Sequence, residues 1–184
     1  MGRNKNSRQS LSDLPIILTD TLYSADEIAD AASFVSFKPG IIFVDQLQDL
    51  RGCERDFIDP DKYHQDVSRR KSDGIKRSII RIKNTLRIKH HITAPIVFVS
   101  TIRREAEFRA DHRPRLSDLR FDDLSEISDG VLLLYRDYYK PGSTGEYAEL
   151  TVAKTPDGRQ GMVPMHFNRE TSGFSEQKPE SRQK

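Results

Sequence analysis

Only one cysteine, Cys53, occurs in the 184 residues, which excludes a disulfide within the chain and any cysteine-built zinc site. No apolar run approaches the roughly 18 residues that a membrane-crossing helix requires. The N-terminal MGRNKNSRQS is charged, and no hydrophobic region follows it, so it is not read as a secretion signal. Met1-Gly2 formally allows N-myristoylation, but the match is loose, because Asn6 stands where Ser or Thr is expected. Charge of one sign is also scarce: 30 Lys and Arg against 28 Asp and Glu leave +2. Only local basic clusters can therefore favour phosphates. His64, His90 and His91 lack ligand spacing with a carboxylate cluster, and no Ser-His-Asp or Cys-His arrangement stands out. There are no internal repeats. The phosphate-cradling loop G-x-x-x-x-G-K-[ST] is missing from all 184 residues. These exclusions leave a soluble, cytoplasmic chain without a membrane partner.

What is there is polar for a folded protein. Hydrophobic residues make up 35% and charged residues 32%, and the mean hydropathy is −0.67. The length suits one domain with a small core and unstructured ends. Residues 1–14 read as a disordered basic lead, 15–174 as the folded part, and 175–184 as a disordered tail.

Within the folded part, PIILTD (15–20) suits a short buried strand closed by Asp20. Ser24 and Glu27 have capping-box spacing and start a helix whose apolar face is Ile28, Ala32 and Val35. Lys38-Pro39-Gly40 ends it and opens a second strand, Ile41–Val44, which runs into Asp45. Residues 51–73 read as a long charged loop. After Gly74 the apolar positions Ile75, Ile79, Ile82 and Leu86 repeat at helical spacing, with Lys76, Arg77, Arg81, Lys83, Arg87 and Lys89 opposite. IVFVST (96–101) is a third strand. GVLLLYRD (130–137), AELTVAK (148–154) and GMVPMHFN (161–168) are three more, joined by the turn signals Pro141-Gly142 and Asp157-Gly158. Alternating strands and helices predict an α/β fold, a parallel sheet flanked by helices with an antiparallel C-terminal extension. The near-continuous apolar strands predict burial on both faces.

Three blocks in register resemble one family. IIFVDQLQDL (41–50), RADHRPRLSDLR (109–120) running on to SDGVLLLYRDYY (128–139), and AELTVAKTPDGRQGMVPMHFN (148–168) are similar to the C-terminal part of the RecA-like motor domain of DnaB-type replicative helicases. The resemblance covers roughly residues 15–174. It implies ATP-dependent unwinding of duplex DNA, with ATP and magnesium as cofactors and single-stranded DNA as a partner. It also implies assembly as a homo-oligomer or with intact replicative helicase subunits. In its terms Asp45 is the magnesium-side, catalytic carboxylate. Gln48, Ser100, Thr101 and Lys154 fall at nucleotide-facing positions. Arg113, Arg115 and Arg120 fall in the DNA-contacting segment.

Departures from the family pattern are specific. The phosphate loop and the catalytic Glu would lie upstream of PIILTD, where only the polar lead stands. Ser100-Thr101 replaces the Ser-Gln whose Gln senses the γ-phosphate. Lys154-Thr155-Pro156 replaces Lys-Gln-Arg, whose Arg is the trans-acting finger, and such a cation is worth roughly 10³–10⁵ in rate. Arg120-Phe121-Asp122-Asp123 replaces Arg-Glu-Ser-Gly. The chain is therefore expected to be a truncated member that does not hydrolyse ATP alone.

Plainer readings stand beside these. Asp45 also fits an exposed residue ending a strand. Lys154 fits an edge-strand lysine that blunts sheet pairing, and the basic face of 76–89 fits a solvated surface. Arg103, Arg104, Arg109, Arg113, Arg115 and Arg120 suit phosphate recognition, but interleaved Glu105, Glu107, Asp111, Asp118, Asp122 and Asp123 weaken that field. Two further functions remain open: a non-catalytic module that docks into a helicase ring, and a decayed fragment. Loss of the phosphate-loop strand also predicts exposed apolar surface and self-association.

Overall fold

The computed structural model of the chain describes residues 14–50, 63–121, 124–138 and 142–176. The basic lead, Cys53 with the rest of 51–62, Asp122-Asp123, Pro141 and the tail from Gln177 lie outside them. The described residues fall into two compact units, one of 14–50 and 77–99, the other of 63–76 and 100–176.

The first unit is helical with a small parallel sheet. Helix α1, Ala25–Phe34, begins where the capping box places it. The Ser24 hydroxyl accepts from the Glu27 N–H at 3.3 Å, and the Glu27 carboxylate accepts from the Ser24 N–H at 2.9 Å. Free N–H groups of the first turn are thereby satisfied. The helix buries Ala25, Ile28 and Ala29 and stops at Val35, which is extended. Strands β1, Ile42–Val44, and β2, Ile96–Phe98, pair in parallel with Ile42 opposite Ile96 and Val44 opposite Phe98.

Helix α2, Tyr63–Asn84, continues as a wider turn over Thr85–Lys89, where the His90 N–H donates to Thr85 five residues back. His91, at φ 55, ends it, and the Ile92 N–H donates to the Leu86 carbonyl at 2.8 Å. Ile75, Ile79, Ile82 and Leu86 are all buried, and Arg77, Arg81, Lys83, Arg87 and Lys89 are exposed, as the spacing predicts. The turn at 85–89 packs on α1.

Three expectations for these segments change. Helix α2 starts at Tyr63, before Gly74, so residues 63–73 are helix and not loop. YHQDVSRRKSD has almost no apolar residue to mark a period, yet Gln, Arg and Lys favour helix intrinsically. PIILTD forms no strand: Ile16, Ile17 and Leu18 are exposed, Leu18 by 89%. A strand exists only with a ladder partner, and among the described residues none meets this segment. The sheet is also not buried on both faces. By the register, Ile41, Phe43, Val97 and Val99 share one side, and all four are exposed.

The second unit is built on an antiparallel sheet. Strands β3 (Val131–Arg136), β4 (Tyr147–Lys154), β5 (Gly161–Asn168) and β6 (Gly173–Glu176) lie in chain order. They form their own four-stranded sheet. The β4–β5 turn follows from its residues: Pro156 fixes φ, Gly158 takes φ 76, and the Gly158 N–H donates to Thr155 at 3.1 Å. Val131, Leu133 and Ala153 form the buried cluster, with Leu116 and Leu119 against it. A short helix α3, Leu124–Ile127, precedes β3. Among the described residues no helix is long and apolar enough to cross a membrane.

Candidate functional site

Asp45 and Gln48 belong to the first unit. Asp45 follows β1 directly and is exposed, and one carboxylate oxygen accepts the Gln46 N–H at 2.9 Å. Gln46 itself takes a left-handed backbone, φ 60 and ψ 71, which is uncommon outside glycine and asparagine. That conformation turns the chain sharply into a helical turn at Leu47–Asp49. The turn is pinned to the strand pair through the Leu47 N–H, which donates to Val99 at 2.8 Å. The Gln48 amide nitrogen donates to the Gln46 side chain at 3.4 Å, while Gln48 Oε1 is buried and meets no hydrogen-bond partner among the described residues. Asp45 is thus held at the carboxyl end of a parallel strand, where open α/β sheets bind ligands.

Ser100, Thr101, Arg113, Arg115, Arg120 and Lys154 belong to the second unit. An isolated antiparallel bridge pairs Ile102 with Leu119 and brings Thr101 beside Arg120. The Arg120 guanidinium reaches the Thr101 hydroxyl at 3.5 Å and is otherwise exposed. The chain between them is shaped by its own charges. Arg109 grips the buried Asp118 with two nitrogens, one at 2.9 Å. Asp118 also accepts the Arg115 N–H at 2.7 Å. Hydrogen bonding from Arg109 holds the Asp118 carboxyl below the usual carboxylate range.

Arg113 is engaged in a second pair. Its Nε and Nη2 each donate to the Glu149 carboxylate at 2.7 Å, and its guanidinium lies 5.1 Å above the Tyr135 ring. Glu149 is 5% exposed and also accepts the Tyr147 hydroxyl at 2.7 Å. Arg113 first, then Tyr147, lowers the Glu149 pKa against the opposing effect of burial. Arg115 is exposed, its guanidinium 3.4 Å from Asp111.

Lys154 closes β4, but β4 is an interior strand with β3 and β5 on its two sides, so the edge-strand explanation of this lysine fails. Its Nζ donates to the carbonyls of Ser125 and Ser128 at 2.6 and 2.7 Å, at the C-terminal end of α3. A lysine there meets carbonyls that the helix leaves unpaired.

The described residues do not by themselves fit magnesium or ATP. No group of three His, Cys, Asp or Glu side chains converges among them, and a lone carboxylate such as Asp45 relies on substrate phosphates to complete a magnesium shell. The phosphate-holding motif is not in these 184 residues. Two residues escaped the sequence reading. Glu149 sits in an ordinary strand pattern, and its partner is 36 positions away. Gln46 carries no backbone signal in its side chain.

The family described as DnaB-like helicase C-terminal domain matches residues 1–176. A probable plasmid replicative DNA helicase from Chlamydia psittaci is 34% identical over 142 residues, 73% of this chain and 30% of that protein. The replicative DNA helicase DnaB of Rickettsia felis is 27% identical over 197 aligned positions, covering 94% and 37%. Among solved structures, a DnaB-like replicative helicase studied with primase superposes with a TM-score of 0.60. That match has 26% identity and covers 82% of this chain and 35% of that one. The ATPase domain of G40P gives 0.60 at 25% identity, covering 84% and 52%. The chain spans about a third of the length of these curated relatives.

Proposed function

The chain belongs to the DnaB-like helicase C-terminal family, and from that premise we propose that it is the DNA-facing and neighbour-facing part of a replicative helicase motor. Single-stranded DNA is held by Arg120 and Arg115, presented by the segment 109–120. The observation that carries this reading is Arg120 itself, exposed yet fixed beside Thr101 by the Ile102–Leu119 bridge. Arg113, with two nitrogens on Glu149, supports the segment from behind.

Asp45 and Lys154 contribute to ATP and magnesium sites whose phosphate-holding parts come from residues outside these 184. ATP hydrolysis would supply the energy for translocation, and magnesium would neutralise the charge of its phosphates. Asp45 would face the ion, and Lys154 a neighbouring subunit's nucleotide once it leaves the Ser125 and Ser128 carbonyls. By themselves the 184 residues hydrolyse no ATP.

Titrating the chain into a fluorescent single-stranded oligonucleotide, beside Arg120→Ala, tests the reading. Saturable binding that weakens about tenfold in the variant, the equivalent of one charge-assisted hydrogen bond, supports it. Binding indifferent to the substitution refutes the assignment of Arg120.

A second reading, a non-catalytic module that docks into a helicase ring, is favoured by one feature. The sheet face of Ile41, Phe43, Val97 and Val99 is apolar and exposed. With Pro156 at the family's finger position, a docked copy would leave its neighbour's ATP poorly hydrolysed. Co-purification with an intact DnaB-type ring and a fall in the ring's ATPase would support this reading. Failure to associate at micromolar concentration would sink it.

A further inference from the structure

We propose that the Arg113–Glu149 pair is the positioning device of the DNA-contacting segment, anchoring 109–120 to β4 so that Arg115 and Arg120 face outward. This inference rests on the DNA reading above, and it names how that surface is held.

The segment closes largely on itself. Arg109 binds the Asp118 carboxylate and also donates to the Arg113 carbonyl at 2.7 Å. The Asp118 N–H donates to Arg115, and the Arg115 N–H returns to the Asp118 side chain. This ring of bonds fixes the loop's shape but ties it to no strand of the sheet. Leu116 and Leu119 pack against Val131, Leu133 and Ala153 of the sheet, and the Arg113 side chain adds the polar, orienting tie.

Its landing place is built. Tyr135 of β3 and Glu149 of β4 are directly opposite in the register, so their side chains stand together on one face. The ring and the carboxylate then meet one guanidinium from two directions. A fork on a carboxylate sets orientation as well as distance, which a lysine's point charge does not. Glu149 lies on an interior strand, so the anchor cannot shift without the sheet. Pro114 follows Arg113 at once, and its fixed φ transmits the setting to Arg115.

Charge distribution points the same way. Of the four arginines of this segment, Arg109 and Arg113 are neutralised by the buried carboxylates of Asp118 and Glu149. Arg115, which meets the part-exposed Asp111 at 3.4 Å, and Arg120 are exposed, while Arg113, though half exposed itself, is committed to a buried acid. The buried acids thus sort the basic residues into those that hold the loop and those offered to a polyanion. With Glu149 buried and Arg113 half exposed, the pair is weak support for stability but well suited to specifying one geometry.

The test uses the full chain with Glu149→Gln, which is nearly isosteric, and Arg113→Lys, which keeps the charge and loses the fork. Two readouts are taken: amide hydrogen exchange, and affinity for the single-stranded oligonucleotide alongside Arg120→Ala. The expected result is exchange at least about tenfold faster within 109–120 while β4 and β5 amides keep their protection, with affinity about tenfold weaker. Exchange that is unchanged, or that rises equally in β4 and β5, overturns the proposal, because the pair would then serve only global stability or nothing. A loosened segment with undiminished affinity, in a chain where Arg120→Ala does weaken binding, also overturns it. If the unaltered chain binds no oligonucleotide, the DNA reading falls, and the exchange data alone decide whether the pair anchors the segment.

Discussion

Single residues here are governed by two carboxylates, Glu149 and Asp118, whose folded-state pKa values are lowered chiefly by hydrogen bonds from Arg113 and Arg109. A group with a lowered folded pKa stabilises fully above its unfolded value and loses that contribution as the pH falls through the folded one. The ordinary values are 4.5 for Glu149 and 3.8 for Asp118. Urea midpoints should therefore be flat near neutrality and fall progressively once the pH drops below about 4.5. Glu149→Gln should flatten the acid limb of that profile; an unchanged limb would show that Glu149 ionisation does not couple to folding. Neither pairing was legible in the sequence. RADHRPRLSDLR shows an alternation of charges, but Arg113 finds its acid 36 positions away on β4, and Arg109 finds Asp118 nine positions on only through the fold of the loop. Asp118 reads there as a charge that weakens a basic field, whereas the fold uses it, together with Glu149, to orient that field.

Helices were legible and strands less so, for a physical reason. The Ser24–Glu27 box and the Ile75, Ile79, Ile82, Leu86 stripe are local spacings, and both stand in the structure as read. The start of α2 was invisible because its first turns carry no apolar period. Strand β6 (GFSE) has one apolar residue, and PIIL has the right residues without a ladder. At this scale the stripe makes a sharp contrast. Ile82→Ala removes a fully buried side chain and should cost about 2–5 kcal/mol in denaturant unfolding. Arg81→Ala breaks a well-formed but exposed pair with Asp26, and should cost no more than about 1 kcal/mol. Equal losses would mean that α2 is held by its charges and not by its apolar face.

Across the whole molecule, the order and spacing of three blocks were enough to place the family, because a fold keeps the sequence of its elements more visibly than any one side chain. The division into two compact units was not legible, since no composition shift marks Lys76–Arg77 or Val99–Ser100. The exposed face of Ile41, Phe43, Val97 and Val99 acts at this scale too. With Phe43 exposed by 65%, the chain should self-associate at micromolar concentration, and Phe43→Lys should shift sedimentation toward the monomer. A wild-type chain that stays monomeric would show that this face is not sticky in solution.

The central claim is that this part of a helicase motor grips single-stranded DNA through two presented arginines. Salt dependence of oligonucleotide affinity tests it most directly. Binding should weaken with salt, and Arg115→Ala/Arg120→Ala should flatten the log–log slope by about 1.4, roughly 0.7 for each phosphate no longer neutralised. A slope identical in the double variant, or affinity independent of salt, would contradict the claim.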